Sequence, residues 1–271
     1  MLGKLIKYEF KACARYFLPL YAALLAIFLI NGFTITSGSQ NIFTGIMITL
    51  LIAIIAIFIF VNLYVTIKRF STSIFGDEGY LSNTLPVSPL TLMSSKAITM
   101  LLYTFISIIV FIVAALLFAA PSASKINIFN LQEVCSGMFT EANKLNISIP
   151  LLVFEGFIGM VISTISSTLV LYLSVAVAHL RQCINHKYIY GFLTYFAFNI
   201  LSSVLSNQLF KNMSRDFETG HNAATQGGQY LVEMTSFMQN VMLKGSLLSL
   251  VYIAIAGGLV IYIMSKKLNL E

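Results

Sequence analysis

Side chains able to do chemistry are scarce in this 271-residue chain, which carries only ten acidic residues, three histidines and three cysteines. The densest grouping of potential metal ligands is His179, Cys183 and His186, inside the short basic segment His179-Leu180-Arg181-Gln182-Cys183-Ile184-Asn185-His186-Lys187. A closed zinc site needs a fourth ligand and tighter ligand spacing, so the segment reads as a solvated basic turn. The sequence has no Gly-x-x-x-x-Gly-Lys-Ser/Thr phosphate loop, no zincin motif, no Gly-x-Ser-x-Gly elbow and no convergent acid–base pair. No catalytic residue, metal site or bound cofactor is expected, and an enzyme acting alone is disfavoured.

Carboxylates offer the remaining chemistry. Asp77 and Glu78 are adjacent in Phe75-Gly76-Asp77-Glu78-Gly79-Tyr80-Leu81-Ser82-Asn83-Thr84-Leu85-Pro86-Val87-Ser88, a segment punctuated by two glycines and a proline. Such a pair suits charge-assisted bonds to basic groups on a partner, with Tyr80, Leu81 and Leu85 as apolar anchors beside it. Glu155 lies inside an apolar run, where an ionisable side chain marks a functional site by default, although it sits only a turn or two from the run's outer end. There it could snorkel to the interface or pair with a loop lysine.

The elements that must position these groups are membrane spans. With 58% hydrophobic and 10% charged residues and a mean hydropathy of +0.88, the chain reads as an integral membrane protein. Six apolar runs are long enough to cross ~30 Å of hydrocarbon, at about 17–33, 42–67, 98–120, 149–178, 188–209 and 247–264. Lys4, Lys7, Lys11, Arg15, Lys68, Arg69, Lys96, Arg181, Lys187, Lys266 and Lys267 flank one side, eleven of the 16 basic residues. The positive-inside rule puts that side in the cytoplasm, with both termini. The net charge of +6 is then explained by topology, and no basic patch remains for nucleic acid. The first span is expected to be retained rather than cleaved as a signal. Cys13, Cys135 and Cys183 form no disulfide framework.

Residues 1–16 form an amphipathic pattern, with Lys4, Lys7, Lys11 and Arg15 on one face and Leu2, Leu5, Ile6, Phe10 and Cys13 on the other. This predicts a separate interfacial helix, serving as a positive anchor or as a lever on a cytoplasmic partner. Glu9 falls within its apolar face, where an unpaired carboxylate is costly and a cation is expected. Ser88-Pro89 has the form of a helix start. Ser163, Thr164, Ser166, Ser167 and Thr168 in the fourth span suit close helix packing. Residues 230–243 repeat apolar side chains at helical spacing, with Met234, Met238 and Met242 on one face; they suit an outer helix, either a lid over an exit or plain packing.

An ion-coupled transporter normally keeps several ionisable groups at mid-membrane depth, and this chain lacks them. The layout resembles instead the membrane permease subunit of type-2 ABC transporters, in the small bacterial form, whose six-span fold is shared with the G-subfamily exporters. The resemblance rests on Tyr8-Glu9-Phe10-Lys11 with Arg15, on Lys68-Arg69-Phe70, and on 76–88 followed by Ser94-Ser95-Lys96. It covers nearly the whole chain and implies one transmembrane domain over 1–271 in a bacterial cell membrane. It further implies a cytoplasmic coupling helix between spans two and three, with Asp77, Glu78, Gly79, Tyr80 and Leu81 at the contact with a separate ATP-binding subunit. Glu9, Lys11 and Arg15 would belong to the family's connecting helix, and 230–243 to its outer re-entrant helices. ATP and magnesium would bind two copies of the partner, and a second permease, identical or homologous, would complete a dimer surrounded by lipid. The cargo implied is an amphipathic or hydrophobic molecule such as a peptide, an antimicrobial peptide, a lipid or a drug. The rival expectation is a non-transporting membrane scaffold with no ATPase partner.

Overall fold

A computed structural model describes residues 2–36, 42–75, 89–122, 136, 140, 148–180, 186–223 and 227–266, and no strand occurs among the described residues. Six α-helices carry the architecture: α1 (Leu2–Thr36), α2 (Ile42–Ile74), α3 (Pro89–Ala119), α4 (Ile149–Ala178), α5 (Lys187–Ala223) and α6 (Gly227–Lys266). Each contains a stretch long and apolar enough to cross a membrane, so the chain is an all-α protein with six candidate spans. At 30 to 40 residues the helices measure about 45–60 Å, against ~30 Å of hydrocarbon. Even at a typical tilt of about 20° they reach past the apolar layer, and their ends can carry charge.

The chain falls into two compact units, Met1–Gln132 and Glu133–Asn269. In the first, α1 packs along both α2 and α3. Cys13 and Phe17 of α1 are buried with Val65 of α2 and with Met100 and Tyr103 of α3. Further along, Leu24 meets Ile54, Phe58 and Ala114. A column of rings follows the same seam: Tyr103 stacks on Phe10 and Phe17 at 4.7 and 4.6 Å, and Phe58 meets Phe111 edge-on at 5.0 Å. Such pairs add about 0.5–1.5 kcal/mol each beyond the area they bury. In the second unit α4 packs against α5 and α6. Tyr252 of α6 meets the Phe198 ring of α5 edge-on at 5.4 Å, and its hydroxyl donates to the Ser202 carbonyl at 3.4 Å.

The interfacial helix and the first span, expected as two elements, are one helix. α1 runs through Pro19, whose missing N–H leaves the Arg15 carbonyl without its helical donor. Arg15 and Pro19 are both exposed. The helix continues because its buried stripe continues: Phe10, Cys13, Phe17, Tyr21 and Leu24 follow three- and four-residue steps straight across the supposed break. Of the apolar face of residues 1–16, Phe10 and Cys13 pack against α2 and α3.

The outer segment 230–243 likewise belongs to a single helix, α6. Its Met242 methyl lies 3.7 Å from where a Cβ on Gly156 of α4 would sit. Met234 and Met238 are exposed. α3 begins at Pro89, the position where the sequence places a helix start. The α4 hydroxyls bond within their own helix, as in Thr164 and Thr168 donating at 2.8 Å to the carbonyls of Met160 and Thr164.

Candidate functional site

Antiparallel α1, α2 and α3 bring the start of α1, the end of α2 and the start of α3 to one end of the first unit, and three charged side chains meet there. Arg69 of α2 donates to Glu9 Oε2 of α1 from Nη2 at 2.9 Å and from Nε at 3.3 Å. Lys96 of α3 donates from Nζ to Glu9 Oε1. Both oxygens of one carboxylate therefore hold a cation, each from a different helix. The Lys96 side chain is only 5% exposed, so its charge depends on Glu9 and on the rest of its surroundings for compensation.

The cluster is fixed from beneath by helix packing. Cys13, one turn on from Glu9, is buried. The Tyr103 hydroxyl donates at 2.7 Å to the Phe10 carbonyl, which pins α3 to α1 next to the carboxylate. Ser107 gives its hydroxyl proton to the Tyr103 carbonyl at 2.7 Å and so accepts at 2.8 Å from the Tyr21 hydroxyl. Rotamer freedom is thereby removed around the ion pairs.

Arg69 and Lys96 flank the segment 76–88 on either side, so one carboxylate ties the two ends of that connection to α1. Asp77, Glu78, Gly79, Tyr80 and Leu81 lie outside the described residues. The cation expected near Glu9 is present, and there are two of them. Lys11 and Arg15 are exposed and take no part in the cluster. The sequence did not single out Arg69 and Lys96 as partners of Glu9; the available signal was one acid on an apolar face facing two helix-terminal cations.

Glu155 differs sharply. Among the described residues its Oε2 is buried with no hydrogen-bond partner. A carboxylate oxygen buried without a donor costs stability. E155Q should therefore hold or raise stability by about 1 kcal/mol, read by thermal unfolding in detergent; a clear fall would show that the carboxylate is paired in the assembled protein.

A groove of about 500 Å³ opens between α2 and α3, with Phe58, Phe111 and Ile112 on its apolar walls and Asn62, Thr104 and Ser107 supplying polar atoms. Among the described residues no three His, Cys, Asp or Glu side chains cluster as metal ligands would. No protein-family model, no curated protein and no solved structure matches the chain.

Proposed function

We propose that the chain is the permease subunit of an ATP-driven exporter of the type-2 ABC class, working with a separate ATP-binding subunit. The observation that carries this reading is the Glu9–Arg69–Lys96 cluster, which joins α1, α2 and α3 at the base of 76–88. A force applied to that segment reaches α2 and α3 directly and α1 through two ion pairs. Three helices then respond together. Closure of two ATPase subunits, with ATP and magnesium bound there, would rock this bundle against that of a second permease, identical or homologous.

Asp77 and Glu78 supply the charge for docking basic groups on the ATPase, and Gly79, Tyr80 and Leu81 complete the coupling helix. The groove between α2 and α3 suits an amphipathic cargo, since its walls are apolar and its few polar atoms are grouped. A peptide, an antimicrobial peptide, a lipid or a drug fits that description. The setting is a bacterial cell membrane with both termini in the cytoplasm, in keeping with the distribution of lysine and arginine.

Reversing one charge tests the coupling contact. E78K is expected to release the ATP-binding subunit during purification while the permease stays folded and monodisperse. Retention at wild-type levels would overturn the assignment of Glu78.

A further inference from the structure

We infer that the pair α1 and α2 carries a binding site for the phosphate of an anionic phospholipid, built on Lys68 and framed by Tyr16 and Tyr64, with Arg15, next to Tyr16 in sequence, as a second cation at the same depth. The Lys68 ammonium stands 5.5 Å from the centre of the Tyr16 ring and 5.2 Å from that of Tyr64. Two faces on two helices thus hold one long side chain, replacing the freedom a surface lysine normally keeps. All four residues are exposed. Among the described residues neither Lys68 nor Arg15 forms an ion pair, unlike Arg69 and Lys96.

Depth selects the ligand. Lys68 is the first charge after the apolar run 42–67, and Arg15 is the last before 17–33; with the two helices antiparallel, both fall at the same edge of the hydrocarbon. Tyrosines concentrate at that edge because the ring favours the apolar side and the hydroxyl favours water. Headgroup phosphates occupy this layer, whereas Lys4 and Lys7 stand about 12–16 Å further along α1 from Arg15. An acidic protein in the aqueous phase would meet Lys4 and Lys7 first, so the anion matched to Lys68 and Arg15 is a lipid phosphate. The site is independent of any ATPase partner.

Native mass spectrometry of the detergent-purified chain, supplied with equal amounts of phosphatidylglycerol and phosphatidylcholine, measures the preference. A cation near the headgroups contributes about fivefold to anionic-lipid binding, so R15Q with K68Q should reduce phosphatidylglycerol preference about twenty-five-fold. K4Q with K7Q removes the same charge further along the helix and should leave the preference within about twofold. Y16L with Y64L keeps both charges but removes the frame, and it should weaken retention of phosphatidylglycerol. Equal losses in the two charge pairs would mean that net charge alone is read, and would overturn the site. Wild-type preference in R15Q with K68Q would do the same.

Discussion

E9Q is expected to destabilise the first helical unit by about 3 kcal/mol or more, the cost typical of breaking a buried pair by removing one partner. The carboxylate gives one oxygen to Arg69 and the other to Lys96, and a neutral amide leaves two cations facing one another. Burial makes the loss large, because solvent reaches little of the Lys96 side chain and cannot replace the missing anion. Exposed pairs of the same residue types would be worth about 0–1 kcal/mol.

A second substitution separates this account from a general sensitivity of α1. K96M removes one of the excess cations, so E9Q with K96M should be less damaging than the two single changes added together. The shortfall should be about 1–3 kcal/mol, as expected for residues in direct contact. Denaturant unfolding of the purified protein in mild detergent reads all four corners of the cycle. Strict additivity would mean that the two side chains do not depend on each other.

G32A should be the most damaging single methyl group in the first unit. A Cβ at Gly32 would sit 2.5 Å from the Phe118 carbonyl oxygen and 3.1 Å from that residue's carbonyl carbon and Cα. These are backbone atoms of α3, so no rotamer change relieves the contact and the helix itself must move. Overpacking typically costs about 1–3 kcal/mol, and the upper part of that range applies where backbone must shift. The same displacement would part the Phe28 and Phe118 rings, now edge-on with centroids at 6.4 Å. G45A is the matched control, because nothing lies within 4 Å of its Cβ; it should be neutral or mildly stabilising. Equal thermal shifts in the two variants would refute the close approach of α1 to α3.

The six spans were legible because hydropathy needs only composition over about twenty residues, and Ile42–Ile74 and Ile149–Ala178 were unambiguous on that measure. Helix continuity was less legible. The outward face of α1 changes from charged to apolar near Phe17, which reads as a boundary between two elements. The inward stripe through Phe10, Cys13 and Phe17 does not alter, and that stripe decides whether the helix continues. Residues 230–243 read as an outer helix separate from the sixth span, yet α6 carries an isolated Gly245 without ending.

The charge cluster was half legible. Glu9 could be recognised as an acid out of place, but its partners lie 60 and 87 residues away in sequence, and pairing at that separation requires knowing which helix ends coincide. Glu155 was conspicuous for the same reason, and only its surroundings distinguish the two: among the described residues Glu9 meets two cations, whereas Glu155 Oε2 meets no donor.

The proposal that a separate ATPase moves this chain through 76–88 is tested by purification from the native membrane in mild detergent. Wild type and E78K should be compared for associated polypeptides and for ATP hydrolysis. An ATP-binding subunit and hydrolysis are expected with the wild type, and loss of both with E78K while the chain remains monodisperse. A wild-type preparation free of any ATP-hydrolysing partner, or equal recovery of that partner with E78K, would contradict it.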